Sequence, residues 1–292
     1  MKTFPDFFII GAPKCGTTSL SVYLSEHPDI IMSKPKEPHY FSTDIDNGRI
    51  TSLKSYLNCF SKKSHNELMG EASTLYLYSQ VAVPKILINN DNAKFIVMLR
   101  NPLDLIFSYH QTSLHYFGET ETDLEEAWGL IDTRKKGEKI PKGCPDPSLL
   151  FYGDIGELGS QVNRLLSRID RKMVLFILFD DFVNKTDKVY QSVLKFLSLD
   201  QNYTPNFQIH NVTNKIKYPQ LTKAVNLTVG LKKSIGINKQ FGIAKKIHSS
   251  NVKGKTDKKI TKSFRTQLIK YFNDDILLLS KSIDKDLSDW VK

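Results

Sequence analysis

The sequence predicts an α/β fold, in which helices flank a central, mostly parallel β-sheet. Short apolar segments alternate along the chain with segments of helical periodicity, and this alternation is typical of a parallel sheet. A glycine-containing loop joins the first apolar segment directly to the first helical one. The chain has 292 residues, of which 40% are hydrophobic, so we expect one domain over residues 1–292.

Four apolar segments are predicted as strands, namely residues 7–10, 30–32, 94–99 and 173–179. All are far shorter than the ~20 apolar residues that span a bilayer. The first residues also lack the long apolar region and the cleavage site of a signal peptide. From these two observations we expect a soluble, cytoplasmic protein.

Five segments are predicted as helices. The first begins near Thr17 and ends before Pro28, and the second begins near Pro102, because proline suits the first turn of a helix. The others are residues 157–169, 187–197 and 260–283. Two segments, 118–150 and 211–259, are predicted to be irregular loops that cover a binding site.

The loop after the first strand has most features of a nucleotide-binding P-loop. Gly11 and Gly16 have the spacing of the motif G-x-x-x-x-G-K-[ST], and Thr18 stands at its Ser/Thr position. Thr17 replaces the lysine of the motif, whereas Lys14 lies inside the loop. Backbone N–H groups and the helix dipole still favour an anion there. We therefore predict a site for one 5′-phosphate, with Lys14 beside the bond that breaks.

The loop sequence GAPKCGTTSL resembles the 5′-phosphosulfate loop of sulfotransferases that use 3′-phosphoadenosine-5′-phosphosulfate (PAPS). This resemblance implies a P-loop-like sulfotransferase fold, of the glycan and heparan branch, and release of 3′,5′-ADP. The implied cofactor-binding residues are Lys14, Cys15, Gly16, Thr17, Thr18 and Ser19. Three widely spaced cysteines suggest neither a disulfide framework nor a zinc site, and Cys15 is interpreted as a small loop residue.

A second motif resembles the 3′-phosphate site of the same family. Arg100 ends a predicted strand before Asn101 and Pro102, and Ser108 lies about two turns into the next helix. Arginine offers a planar fork of donors that suits phosphate, and serine adds a hydroxyl donor. The alternative is a local role, with Arg100 capping nearby carbonyl groups.

A third motif resembles the K-G-R-T loop with which family members close over the 3′-phosphate. It consists of Lys253, Gly254 and Lys255, followed by Thr256. Lys255 keeps the positive charge of the usual arginine but loses its bidentate geometry. An exposed basic turn is the alternative interpretation.

The candidate catalytic base lies in the segment KEPHYF, residues 36–41. By its position just before an aromatic pair, Glu37 resembles the catalytic base of the glycan sulfotransferases. We expect partial burial to raise the pKa of this carboxyl group towards the range that suits a base. His39 is the rival base, since an imidazole titrates near neutrality. A structural role for both residues is the third interpretation.

The segment Gly70-Glu71-Ala72-Ser73 corresponds to another part of the family pattern. In heparan-modifying members a lysine follows the glutamate and helps the base, whereas here Ala72 follows it. This departure puts a heparan-like acceptor geometry in doubt, but not PAPS binding. The glutamate-type base makes a carbohydrate hydroxyl the first choice of acceptor, whereas a lipid, a carrier-bound acyl hydroxyl and a small phenol stay open.

Two other classes of function stay open on the sequence alone. Asp180 follows an apolar strand, as the Mg²⁺-organising aspartate of a P-loop kinase does, so a phosphotransferase is the first alternative. The net charge of +10 also fits a non-catalytic module that binds polyanions. Nucleic-acid-binding signatures and metal-ligand spacing are missing from the sequence, so we expect neither nucleic acid nor a metal as a partner.

Overall fold

A computed structural model describes residues 4–61, 67–208 and 261–292, and the backbone of 215–216 and 252–253. In the described residues, the central sheet has the parallel strands β1 Phe7–Gly11, β2 Ile30–Met32, β3 Leu68–Ala72, β4 Lys94–Leu99 and β5 Val174–Leu178. Their order in space is β2-β3-β1-β4-β5. The predicted α/β class with a parallel sheet is confirmed.

Strand β1 lies at the centre of the sheet, and all five of its residues are buried. Phe7 pairs with Gly70 of β3 on one side and with Lys94 of β4 on the other. After β1 the chain forms β2 at the edge and then β3 between β2 and β1, before it crosses to the other side of β1 for β4 and β5. Ligands of such sheets bind where this reversal occurs, outside the carboxyl ends of the strands. The topology therefore predicts a ligand site at the loop that follows β1.

Strand β3 was not predicted from the sequence, because its residues LMGEA lack a continuous apolar pattern. The glycine in its centre is required by close packing. A Cβ atom on Gly70 would lie 2.2 Å from Cζ of Phe7 and 2.6 Å from Sδ of Met32. The strand is thus defined by contacts with its neighbours more than by its own composition.

All five predicted helices are present, with small differences at their ends. Together with further short helices they are α1 Thr17–Ser25, α2 Leu53–Leu57, α3 Ala82–Asn89, α4 Pro102–Tyr116, α5 Leu124–Gly129, α6 Ile131–Lys135, α7 Tyr152–Gly156, α8 Leu158–Leu166, α9 Phe179–Asn184, α10 Thr186–Leu197 and α11 Lys262–Ile283. Helix α8 packs closely on α11: Asp275 Oδ2 accepts the N–H of Gly159 at 2.7 Å. These helices surround a continuous core of buried apolar side chains.

The prediction that residues 118–150 are irregular was wrong. Helices α5 and α6 and the 3₁₀ turn Pro147–Leu150 lie within this segment. A buried ion pair orders it: Arg134 donates to both carboxylate oxygens of Glu119, at 2.6 and 2.9 Å. The hydroxyl of Tyr152 donates to the same carboxylate at 2.6 Å. Two charged residues of the segment thus form a buried network, whereas the charges of residues 135–139 are exposed.

The second segment predicted to be irregular, 211–259, lies mostly outside the described residues. Its described backbone forms β6 Lys215–Ile216 and β7 Val252–Lys253, which pair antiparallel. Among the helices of the described ranges, none combines the length and the apolar character that crossing a membrane requires.

Candidate active site

A cavity of about 920 Å³ lies at the carboxyl ends of the central strands. Residues that follow β1, β3, β4 and β5 line it, as expected for this sheet topology. The cavity brings together most of the site residues predicted from the sequence. These are Lys14, Gly16, Thr17, Thr18, Ser19, Glu37, His39, Arg100 and Ser108.

The loop between β1 and α1 has the backbone geometry of an anion site. Gly16 caps α1 with a φ of 84°, a left-handed conformation that favours glycine. A Cβ atom there would lie 3.1 Å from the ring of Phe182. The first N–H groups of a helix have no partner within the helix, and the helix dipole adds positive potential. The start of α1 therefore presents donors to the cavity.

Cys15 is the predicted loop residue that does not line this cavity. Its side chain is fully buried, and its thiol donates to the carbonyl of Pro13 at 3.4 Å. Burial raises the pKa of Cys15 to about 12, so the thiol stays protonated at neutral pH. This agrees with the interpretation of Cys15 as a loop residue and not a nucleophile.

Lys14 is held in an unfavourable environment for its charge. Burial lowers the pKa of its ammonium group, and the positive charge of Arg100 lowers it further. Its backbone has a φ of 64°, which is uncommon for a residue other than glycine. Strain of this kind is often retained at functional sites. An anion in the cavity would relieve the electrostatic part of this cost.

Arg100 combines a local contact with a position on the cavity wall. Its Nη1 donates to the carbonyl of Lys14 at 3.4 Å, and its guanidinium group lies 4.7 Å from the ring centre of Phe179. The predicted capping role therefore occurs, but it uses one donor of five. Its buried Nε has no hydrogen-bond partner in the described structure. Ser108 of α4 is buried on the same wall.

Glu37 is fixed by contacts on both carboxylate oxygens. Oε1 lies 2.5 Å from Nζ of Lys36, and Oε2 lies 3.4 Å from Nε2 of His39. Its backbone N–H donates to the carbonyl of Ala72 at 3.0 Å, so Ala72 supports the base through its backbone. Its φ is 62°, again in the left-handed region.

The expectation of a raised pKa for Glu37 was wrong. Burial alone would raise the pKa, but the hydrogen bond with His39 and the charge of Lys36 outweigh it and hold the pKa at about 2. The carboxylate is therefore ionised at neutral pH. It is a weak base in this state, and it is ready to accept a proton.

A second carboxylate, Glu71, braces the turn that carries Glu37 and His39. It is fully buried, and burial raises its pKa. The hydroxyl groups of Tyr56 and Ser73 donate to it at 2.5 and 2.6 Å. Ser73 Oγ in turn accepts the backbone N–H of His39 at 3.1 Å. Glu71 thus acts on the candidate base indirectly, through hydroxyl groups and backbone.

Several cavity residues were not predicted from the sequence. Phe179 and Phe182 follow β5 and contact Arg100 and Gly16, and their spacing of three residues on α9 was an available signal. Other missed residues are Asn47, Thr74 and Tyr109, for which we see no local sequence signal. Asp180, the kinase-like aspartate, is exposed and does not line the cavity.

Two further predictions concern the 3′-phosphate loop and metals. Lys253 lies in β7, whereas Gly254 and Lys255 lie outside the described residues, so their role stays a prediction. Across the described ranges, no group of three or more His, Cys, Asp and Glu side chains is arranged to hold a metal ion.

Known proteins resemble this chain over most of its length. A family model described as "Sulfotransferase domain" matches residues 4–278. The solved structure of a sulfotransferase from Alicyclobacillus acidocaldarius is similar over 99% of this chain and 100% of its own, with a TM-score of 0.73 and 25% sequence identity.

Curated relatives are longer proteins that match in part. Heparan sulfate glucosamine 3-O-sulfotransferase 3B1 of Homo sapiens is 30% identical over 230 residues, which is 76% of this chain and 53% of that protein. Carbohydrate sulfotransferase 15 of Homo sapiens is 23% identical over 250 residues, which is 68% of this chain and 44% of that protein. The chain thus spans about half the length of these relatives.

Proposed function

The chain belongs to the sulfotransferase domain family, and we propose that it transfers a sulfuryl group from PAPS to a hydroxyl group of an acceptor. One observation carries this proposal: a single cavity of about 920 Å³ is lined both by the phosphate-type loop with Arg100 and Ser108 and by the carboxylate of Glu37. The transfer needs a site for an anionic donor and a proton acceptor side by side.

Two sets of cavity residues are proposed to hold the 5′-phosphosulfate and the 3′-phosphate of PAPS. In the proposal, the backbone N–H groups of Cys15 to Thr18 and the start of α1 hold the 5′-phosphosulfate, with Ser19 in the same turn. Arg100 and Ser108 hold the 3′-phosphate. Burial lowers the pKa of Lys14, and the positive charge of Arg100 lowers it further. Nη2 of Arg100 lies 3.6 Å from Oδ2 of Asp104, but its buried Nε has no hydrogen-bond partner in the described residues. Two neighbouring cations of this kind favour an anion in the cavity.

The chemistry then follows from charge placement. Glu37 accepts the proton of the acceptor hydroxyl while an oxygen–sulfur bond forms between acceptor and sulfuryl group. The bond between sulfur and the bridging phosphate oxygen breaks, and 3′,5′-ADP leaves with the electron pair. Lys14 stabilises the negative charge that grows on that oxygen. Because the pKa of Glu37 is low, its proton transfer is effective when the hydroxyl becomes acidic in the transition state.

We propose a carbohydrate as the acceptor class. The family relatives named above include a carbohydrate sulfotransferase and a heparan sulfate glucosamine 3-O-sulfotransferase. A glutamate base at the position of Glu37 agrees with that branch. His39 contacts Glu37, and its proposed role is to hold the second carboxylate oxygen.

The proposal is tested by incubating the protein with radiolabelled PAPS and a library of hydroxyl acceptors, mainly saccharides. We expect a labelled, sulfated product and 3′,5′-ADP. In parallel, 3′,5′-ADP should raise the melting temperature equally in EDTA and in Mg²⁺.

Two other outcomes would overturn the proposal. Stabilisation by Mg²⁺–ATP but not by 3′,5′-ADP would favour a phosphotransferase. Salt-dependent binding of heparin that survives Lys14→Ala, without any transfer, would indicate a polyanion-binding module.

A further inference from the structure

Two polar side chains on the wall near Glu37 have no assigned role. Asn47 has both its amide oxygen and its amide nitrogen buried, and neither has a hydrogen-bond partner within the described part of the chain. The same holds for the hydroxyl group of Tyr109, whose side chain is 1% exposed. Both residues line the cavity that contains Glu37. Three buried polar atoms of residues that line the cavity are thus without a hydrogen-bond partner in the described part of the chain.

The residues on either side of Asn47 are anchored by hydrogen bonds to two other loops. The N–H of the preceding residue, Asp46, donates to Oδ2 of Asp146 at 2.9 Å. The N–H of Ile50 donates to the carbonyl of Pro38 at 2.9 Å, directly beside Glu37. Asn47 thus belongs to a short loop anchored next to the candidate base. The amide group without a hydrogen-bond partner therefore lies on an anchored loop.

Tyr109 is held rigidly by aromatic neighbours. It follows Ser108 on α4, and its ring packs 5.7 Å from Phe117 and 6.3 Å from Tyr152. Burial raises the pKa of Tyr109 well above its usual value, and the charge of Glu37 contributes to that rise. The hydroxyl therefore stays protonated at neutral pH and can donate a hydrogen bond.

Buried polar atoms without partners destabilise a folded protein, so such groups normally find a partner when the site is filled. An amide offers both a donor and an acceptor, and a tyrosine hydroxyl does the same. All of these groups are neutral, so they match a neutral hydroxyl better than a carboxylate or an ammonium group. Phe117 and the exposed Tyr116 add aromatic surface on the same cavity.

Resting on the proposed function, we infer that Asn47 and Tyr109 are specificity-determining residues that bind a second hydroxyl group of the acceptor, close to the one that is sulfated. The pair selects acceptors with neighbouring hydroxyl groups, as on a sugar ring or another polyol. Acceptors with one isolated hydroxyl, such as a simple phenol, leave the amide and the tyrosine hydroxyl unmatched and are disfavoured.

The experiment compares matched acceptors on matched variants. The acceptors are a set of methyl glycopyranosides, their monodeoxy counterparts and 4-nitrophenol, each with radiolabelled PAPS. The variants are Asn47→Ala and Tyr109→Phe. The controls are Asn58→Ala, at an exposed asparagine, and Tyr190→Phe, at a buried tyrosine outside the cavity.

We expect each test variant to lower kcat/KM about 10-fold on the best glycoside, the scale of one neutral hydrogen bond. On the monodeoxy analogue that lacks the recognised hydroxyl, the same variants should change kcat/KM little. The test variants should keep the wild-type affinity for 3′,5′-ADP. The control variants should keep the wild-type kcat/KM on each acceptor. This dependence on the acceptor hydroxyl is a result that a purely structural role would not produce.

One outcome would overturn the inference while the proposed function stands, namely an equal loss on the full and the monodeoxy acceptors. Sulfation of 4-nitrophenol alone would overturn both the inference and the proposed carbohydrate class of acceptor, while PAPS-dependent transfer stands. Binding of 3′,5′-ADP without transfer to any glycoside or phenol would contradict the inference and the proposed transfer together. If 3′,5′-ADP itself fails to bind, the proposed function fails, and the inference fails with it.

Discussion

The two walls of the cavity are built in different ways. The phosphate wall consists of Lys14, residues 16–19, Arg100 and Ser108, and most of it comes from one continuous loop and helix. The base wall consists of Glu37, His39, Asn47 and Tyr109, which come from separate parts of the chain. It depends on buried support, in particular on the Glu71 carboxylate beneath His39.

This difference indicates that binding and chemistry are separable by mutation. In the proposed function, the phosphate wall uses backbone donors and cations that act on a bound anion throughout the reaction. The ionised carboxylate of the base wall matters, on the same proposal, when the acceptor loses its proton. Substitutions on the phosphate wall should therefore change nucleotide affinity, whereas those on the base wall should leave it unchanged. Lys14 is the expected exception.

The largest effect is expected for Lys14→Ala. Although Lys14 lies on the phosphate wall, this substitution should lower the reaction rate more than the nucleotide affinity. If Lys14 stabilises charge that develops in the transition state, its loss should raise the barrier by about 2.7–4 kcal/mol, as for removal of one preorganised donor. That corresponds to a single-turnover rate about 10² to 10³ times lower. Single-turnover kinetics at saturating PAPS measure this, beside a titration with 3′,5′-ADP.

Lys14→Arg is the matched control, and it should restore little of the rate. A planar guanidinium group cannot place its charge where the compact ammonium group does. If Lys14→Ala instead weakens 3′,5′-ADP binding strongly and leaves the single-turnover rate intact, Lys14 is an ordinary member of the phosphate wall.

The next effect is expected for Glu37→Gln, which preserves shape but cannot accept a proton. Turnover should fall by about 10²-fold or more, the usual scale for a general base. The affinity for 3′,5′-ADP should stay unchanged, which is the behaviour expected of the base wall. Steady-state rates and isothermal titration of the same preparation check both parts. Full activity in this variant, with His39→Ala inactive, would transfer the role of base to His39.

The contrast between the walls also explains what the sequence could predict. The loop of Gly11 to Thr18 is a local motif, so its residues and its position after a strand are readable from spacing alone. The loop of Asn47 is anchored by hydrogen bonds from Asp46 and Ile50 to distant loops, and Tyr109 packs on aromatic rings, and no local pattern encodes these contacts.

The three-dimensional placement of neighbouring residues, whether distant or adjacent in sequence, decided two other features that were missed. Strand β3 exists because Gly70 fits between Phe7 and Met32, although its own composition does not favour a strand. The low pKa of Glu37 arises from the charge of Lys36 and the hydrogen bond of His39, which outweigh burial. The sequence indicated a glutamate base, but the positions of its neighbours determine its ionisation.

A smaller effect is expected on the phosphate wall for Arg100→Ala. Losing hydrogen bonds from a charged donor should weaken 3′,5′-ADP binding by about 10- to 100-fold. Adenosine 5′-monophosphate, which lacks the 3′-phosphate, should bind the wild type and the variant almost equally. Thermal shifts and titrations with both nucleotides test this. An equal loss of affinity for both would place Arg100 at the 5′-phosphate and remove the basis for assigning the 3′-phosphate to it.

The smallest effect concerns stability and pH at the base wall. The folded-state pKa of Glu37 is about 2, below its ordinary value of 4.5, because His39 and Lys36 outweigh burial. A depressed carboxylate pKa stabilises the folded state above pH 4.5, and this contribution is lost as the pH falls from 4.5 towards 2. The side chain is 39% exposed, so solvent screening limits the contribution to about 1 kcal/mol or less.

Glu37→Gln should therefore have a slightly lower free energy of unfolding than the wild type near neutral pH, and the difference should shrink below about pH 4.5. Urea unfolding of both proteins at several pH values measures it, and added salt should reduce it as well. A Glu37→Gln variant that is more stable than the wild type near neutral pH would mean that burial of the carboxylate charge costs more than the Lys36 and His39 contacts return. The turn would then depend for its position on contacts such as those of Glu71 and Ser73, and the carboxylate of Glu37 would not contribute to stability.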